Sequence, residues 1–518
     1  MRVVIAADFP VHCLPGFEHI PVGHHATWLT PLAQELADIP GLDIHWITCS
    51  KQVASHQEIH HLNQTFHLLP RHKLSLEILT RFRRERRLIA KLVGKLQPAL
   101  FHGWGTEQGY GLAANDFPGT CLISLQGILS AYCSASPMPL LTRIQAATEK
   151  AVLSKARHLT VESPWGASQL QNLAPQAKIH LLEYGADPAC FEIQRSPSEE
   201  DRRSQIVDRR SENPTQSSDP ESSFSPSPLI TDHCSLLTSP SSSTNQQSTI
   251  NNHQSSISPS PTKEDSGLQI VDPRSENPDS PISVHSRPFA VEPSSSSSSS
   301  PSSSSDLRPS TFRLSDREAS TSPSSTFDVQ SSMFKVHLPL ALFVGTLSHL
   351  KGCDTLLDAF SDPRLKDIEL VILGALSPEF TRRSHPPNIH FLGHRPPAEV
   401  RDWMANAWCL VHPTRADTSP NAVKEARVIG LPVVTTPNGG QTQYVIHNES
   451  GFIHDAGDVE DLIQGVLTVT KSRETSLQMG HHGQAECRAA LSPTTTAKRL
   501  LEIYQTLGPT APRPLKKG

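Results

Sequence analysis

Two acids eight positions apart, Asp417 and Glu425, flank Ser419-Pro420-Asn421 within the stretch 412–440, HPTRADTSPNAVKEARVIGLPVVTTPNGG. Carboxylates accept hydrogen bonds from hydroxyls, so such a pair suits a ribose or another sugar. Ser followed by Pro is a helix start, with Ser419 at the N-cap and Pro420 first in the helix. Ala422, Val423, Ala426 and Ile429 then recur at helical spacing, and Gly430 and Pro432 stop the helix. The free N–H groups and the dipole at its N-terminus favour a phosphate. After the next strand, the turn Pro437-Asn438-Gly439-Gly440 promises further backbone N–H groups unobstructed by a Cβ. Hydroxyl acceptors beside an anion site are the chemistry of binding a phosphorylated sugar. A capped helix in an ordinary α/β domain is the plain alternative.

On these residues the chain resembles the retaining family 4 glycosyltransferases of the GT-B fold. Their signature runs from an acid through Pro-Asn to Glu-Ala, and here it reads Asp417-Thr-Ser-Pro420-Asn421-Ala-Val-Lys-Glu425-Ala. The resemblance implies that Glu425 binds the donor ribose and Asp417 a hydroxyl of the transferred sugar. It sets Ser419 and Asn421 against the diphosphate, with Gly439 and Gly440 lining the donor site. A second match is FVGTLSHLKGCDTLLDAF, 343–360, where a strand meets a Gly turn and Lys351-Gly352 precede an amphipathic helix. In the family an Arg and the Lys neutralise the leaving diphosphate. Lys351 matches, Thr346 stands where the Arg is expected, and Arg415 is a candidate for the missing charge. A solvated surface lysine is the rival reading of Lys351.

The N-terminal half carries weaker likenesses. Gly23-His24 looks like the Gly-rich loop beside acceptor and diphosphate, with one Gly of the usual pair. Phe101-His102-Gly103-Trp104-Gly105-Thr106-Glu107 resembles a segment at the carboxyl edge of a strand, which places His102 and Glu107 on the acceptor side. Gln126 falls where relatives commonly have His, near the sugar but unable to act as a base. Tyr184-Gly185-Ala186-Asp187 through Phe191 resembles the segment that closes the first domain.

The implied reaction moves a sugar from a nucleoside diphosphate to an acceptor hydroxyl with retention, and no motif requires a cofactor or metal. A catalytically decayed nucleotide-sugar binder is the alternative, and an epimerase or phosphorylase of the same fold a third reading. The acceptor, whether glycan, lipid or small molecule, is not written in the chain.

The elements that must position these residues alternate. Short apolar runs at Val3–Ala7, Ile44–Thr48, Phe66–Leu69, Leu100–Trp104, Cys121–Leu125, Leu159–Val161 and Ile179–Leu182 are separated by helical stretches such as Thr27–Ala37, Ile78–Leu96, Leu140–Ser154 and Pro164–Leu173. A second series holds strands Ala341–Leu347, Glu369–Leu373, Ile389–Leu392, Cys409–His412 and Val433–Thr435. Its helices include Asp354–Phe360, Ala398–Asn406, Pro420–Ile429, Val459–Val469 and Thr495–Tyr504. Strand–helix alternation predicts parallel sheets with right-handed crossovers, hence an α/β chain of two Rossmann-like domains facing across a cleft. The expected division is 1–194, 335–505 and a flexible tail 506–518. Residues 195–334 are dominated by Ser, Pro, Asn, Gln and Asp and are expected to be a disordered insertion. That dilution accounts for 44 Pro, 36% hydrophobic and 5% aromatic residues in 518.

A net charge of −5 makes nucleic acid a poor partner. The 9 cysteines are scattered without a C-x-x-C pair, and no apolar run approaches a bilayer span. A cytoplasmic location is expected. The basic run RFRRERRLIAK, 81–91, could touch anionic lipid at the inner membrane face, although a solvated helix face is preferred. Adjacent His pairs at 24/25, 60/61 and 481/482 point apart and suggest no metal site. No G-x-G-x-x-G follows the first strand, which speaks against a dehydrogenase.

Overall fold

A computed structural model describes residues 1–20, 28–195 and 338–508. Gly23, His24, the Ser/Pro-rich stretch and residues 509–518 lie outside the described residues. The first sheet holds β1 (Arg2–Ala6), β2 (Asp43–Ser50), β3 (Gln57–His61), β4 (Gln64–Pro70), β5 (Leu100–Trp104), β6 (Cys121–Ser124), β7 (His158–Val161) and β8 (Lys178–Leu181). Its order is β3-β4-β2-β1-β5-β6-β7-β8, with β3 antiparallel to β4 and every other pair parallel. The second holds β9 (Leu340–Val344), β10 (Glu369–Leu373), β11 (Ile389–Gly393), β12 (Cys409–His412), β13 (Val433–Thr435) and β14 (Gly451–Ile453). It is parallel throughout in the order β11-β10-β9-β12-β13-β14. Helices cover both faces, so β10 and β12 are buried at every residue and their sequences are nearly continuous apolar runs.

In each sheet the strand order reverses beside the first strand of that half, between β1 and β5 and between β9 and β12. Loops leaving the carboxyl ends of strands at such a reversal splay to opposite faces and open a crevice. The sequence-expected strands all form, within a few residues of their ends. Two further strands went unread: β3 is QEIHH, with one apolar residue, and β14 has three residues. The helix expected over Ile78–Leu96 is two helices, Leu74–Leu79 and Arg83–Leu96, interrupted where Arg81 and Phe82 turn left-handed at φ 50° and 55°. The second of these buries Ile89, Leu92 and Val93 and pairs Arg86 with Asp116. Among the described residues no helix is long and apolar enough to cross a membrane.

The chain crosses between its halves twice. Tyr184 lies in the first core, whereas Ala186, Cys190 and Ile193 pack in the second. Later, Leu491 belongs to the second core, while Ala497, Leu500, Ile503, Tyr504 and Leu507 of the last helix, Pro493–Leu507, return to the first. The expected boundary at 505 is therefore corrected: the last helix completes the N-terminal domain, because its apolar stripe fits the uncovered face beside Leu29, Leu32 and Leu36. The two crossings touch, with the Ala186 amide donating to the Leu491 carbonyl at 2.9 Å.

Candidate active site

β12 ends at His412, and the loop that follows carries Asp417 to the mouth of the crevice. The helix after it spans Asn421–Ile429 with Val423, Ala426, Val428 and Ile429 buried. Gly430 closes it at φ 88°, and Leu431 donates to the Ala426 carbonyl at 2.8 Å, a Schellman ending. The expected start is shifted by one residue. Pro420 is the N-cap, and Ser419 caps no amide; its hydroxyl instead lies 3.4 Å from the Tyr444 hydroxyl. Among the described residues the amides of Asn421 and Ala422 have no acceptor, as expected of a first helical turn.

The loop from β9 brings Lys351 to the same place. Gly352 makes this possible: at φ 68° it is left-handed, and a Cβ there would stand 1.9 Å from the Pro413 carbonyl oxygen. The Lys351 ammonium is thereby set on the Asp417 carboxylate, and His412 Nε2 approaches the same carboxylate at 3.4 Å. Burial opposes ionisation of Asp417, but Lys351 and His412 outweigh it and hold the group well below the usual carboxylate range. Burial also lowers His412, whose ring is fully enclosed. The Lys351 side chain stays one-quarter exposed. The result is a cation with an open side and two free helix amides, which can receive a diphosphate, beside a fixed carboxylate that can accept from a hydroxyl.

Gly439 and Gly440 pack closely against this loop. The Gly440 amide donates to the Asp417 carbonyl at 2.9 Å and the Gly439 amide to the Pro437 carbonyl at 3.0 Å. Added Cβ atoms would lie 2.2 Å from the carbonyl oxygens of Asp417 and Thr418 respectively. The expected free amides are thus already used, and glycine is required by close approach.

Glu425 lies one turn into the helix, half-buried, with no hydrogen bond to its carboxylate among the described residues. Burial, and then the nearby Asp187, raise it to about 7. Asp187 is held by Arg401 at 2.7 Å. Glu425 and Asp417 therefore answer to different neighbours, Asp187 and Arg401 in one case, Lys351 and His412 in the other. Arg415 is taken up elsewhere, with both terminal nitrogens on Asp354 at 2.7 Å and Nη1 on the His349 carbonyl at 2.5 Å. Thr346 is exposed just past β9. No second cation joins Lys351 from either position.

On the N-terminal side the expected residues separate. His102 is fully buried, with Nδ1 at 2.7 Å from the Tyr504 hydroxyl and Nε2 at 2.7 Å from Ser124. Burial takes it down to about 3. Its expected place beside an acceptor is corrected, since both ring nitrogens are occupied inside the core. Glu107 and Gln126 are half-buried at the carboxyl ends of β5 and β6. Burial lifts Glu107 to about 7, with Glu149 and Asp8 adding repulsion.

Several residues escaped sequence reasoning. The Tyr132 hydroxyl accepts from the Thr418 amide at 3.0 Å and meets its hydroxyl at 2.8 Å, and Ser163 donates to the Thr418 carbonyl at 2.6 Å. Lys424, fully buried, pairs with Glu162 at 2.7 Å. These contacts clasp the Asp417 loop from the N-terminal domain. Only Ser163-Pro164, a Ser-Pro helix start, carries a local signal.

Residues 339–472 match the family described as glycosyl transferases group 1. Among curated proteins, an uncharacterized glycosyltransferase of Methanocaldococcus jannaschii is 27% identical over 146 residues, which cover 28% of this chain and 41% of that protein. Among solved structures, sucrose-phosphate synthase from Thermosynechococcus elongatus matches with a TM-score of 0.58 at 13% identity, covering 98% of each chain. HepE of Anabaena, solved with UDP-glucose, matches at a TM-score of 0.52 and 12% identity, covering 98% of this chain and 100% of its own. The chain spans less than half the length of the curated relatives it matches. The structural likeness gives the fold: two Rossmann-like domains of the GT-B type.

Proposed function

We propose that the chain transfers a sugar from a nucleoside diphosphate to an acceptor hydroxyl with retention of configuration, a reading supported by the match of residues 339–472 to the glycosyl transferases group 1 family within a GT-B fold. The observation that carries this reading is the Lys351 ammonium set on Asp417 beside the open amides of Asn421 and Ala422. HepE was solved with UDP-glucose, which supports a nucleotide sugar as the donor class here. The bond from the anomeric carbon to the diphosphate breaks as the acceptor oxygen bonds to that carbon, and the acceptor proton leaves with the diphosphate. Charge grows on the departing phosphate while the sugar becomes oxocarbenium-like. Lys351 and the helix N-terminus stabilise that charge, which is the main catalytic contribution. Asp417 orients the ammonium and accepts from a sugar hydroxyl, and Glu425 accepts from the ribose.

The occupied guanidinium of Arg415 and the exposed Thr346 favour one second reading, a protein that binds a nucleotide sugar without turnover. A panel of UDP-, GDP- and ADP-sugars, assayed for nucleotide release and for binding of the free nucleotides, separates the two. Turnover of one donor supports the transferase; saturable binding without release supports the binder. Glu425→Ala should abolish donor binding, and unchanged nucleotide affinity would overturn the site assignment.

A further inference from the structure

The edge of the N-terminal sheet carries a group of side chains that the transfer reaction does not use. β3 and β4 pair so that Glu58 stands directly opposite His67. His56 precedes Glu58 by two residues and so shares its face, and His45 of β2 lies on the other side of His67. His56 Nε2 is 3.1 Å from His67 Nδ1, and Glu58 Oε2 is 3.6 Å from the same Nδ1. All three ligand atoms lie within 4.8 Å of one another.

We propose that His56, Glu58 and His67 form a site for a divalent transition metal, of which zinc is the best fit. Zinc bonded at ~2.0–2.1 Å holds tetrahedral ligand atoms roughly 3.3–3.5 Å apart, close to the spacings found. Two imidazoles and one carboxylate are a familiar zinc ligand set that leaves a position for water. A supporting chain orients the buried ligand: His67 Nε2 meets His45 Nδ1 at 3.0 Å, and His45 Nε2 lies 3.3 Å from Asp43. With the proton on His67 Nε2 donated along this chain, the Nδ1 lone pair faces His56 and Glu58. Metal-bound histidines are commonly held in this way. The second Glu58 oxygen lies 3.5 Å from His60, which limits rotation of the carboxylate. Bound metal ties β3, the outermost strand of this sheet, to the strand behind it.

The test uses the full chain, stripped with a chelator and dialysed, then titrated with zinc chloride against a chromophoric chelator of micromolar affinity. One equivalent taken from the chelator, and a rise in Tm on adding zinc, are expected. His56→Ala and Glu58→Gln change exposed side chains and should each weaken zinc affinity at least tenfold and abolish the Tm rise. His394→Ala, on the other domain, should change neither. Undiminished stoichiometric uptake by the His56→Ala/Glu58→Gln double variant would overturn the proposal. So would an equal loss in His394→Ala, or failure of the unaltered chain to compete with the chelator.

Discussion

β5 and β12 occupy equivalent places, each lying across the strand-order reversal from the first strand of its half, and each carries a buried histidine. His102 and His412 are both enclosed and both pushed down by burial. They differ in what they face. His102 is held between two neutral hydroxyls, those of Tyr504 and Ser124, and has nothing left to offer. His412 faces a carboxylate and, beyond it, an ammonium with an open side. The same residue on the same kind of strand is thus sealed in one sheet and placed at a charged mouth in the other. Partners, rather than residue type or position on the strand, decide which histidine borders chemistry.

The comparison is broken most severely at the tie that joins the two regions. Glu162→Gln takes from the buried Lys424 its direct ion-pair partner and should cost about 3–5 kcal/mol in denaturant unfolding. Next, Lys351→Ala should lower turnover about 10²–10³-fold in the nucleotide-release assay, since a charge stabiliser at the leaving group is lost. Retention of normal turnover would show that the mouth at His412 is as inert as the core at His102. His102→Leu should cost about 1–3 kcal/mol by leaving the Tyr504 hydroxyl unpaired, since Ser124 keeps the Thr160 hydroxyl, without changing the KM for donor. A rise in KM instead would return His102 to the site. The same histidine gives the fold a pH dependence. His102 titrates near 3 when folded against an ordinary value of about 6.5, so the unfolded chain binds the proton first. Its contribution to stability is complete above about 6.5 and is lost as pH falls toward 3, with a slope of at most about 1.4 kcal/mol per pH unit. The pH dependence of urea midpoints should flatten in His102→Leu over that window.

Much of the fold was legible because parallel strands under helices must be short apolar runs, and β10, β12 and β13 begin and end where the residues predict. β3 escaped because QEIHH has no apolar alternation, one face carrying Glu58 and His60. At the site, Lys351 and Asp417 were each singled out by a motif resemblance, but their pairing is seen only in the structure. His412 did not, because nothing in a sequence marks a strand-end histidine as facing a charge. Thr418, Ser163, Tyr132, Glu162 and Lys424 were hidden for another reason: their contacts join segments more than two hundred residues apart. Gly439 and Gly440 were expected to offer free amides, whereas their lack of a Cβ serves close packing against Asp417 and Thr418.

The return of the last helix to the first core has a consequence for synthesis. Val3, Leu29 and Leu32 leave the ribosome hundreds of residues ahead of Leu500, Ile503 and Tyr504, which cover them. At roughly 5–20 residues per second the interval is about half a minute to a minute and a half. During that time the nascent N-terminal domain exposes an apolar face and lacks the partner of His102 Nδ1. A helper that shields apolar chain during translation should therefore engage this protein's first domain until its final turn of helix appears.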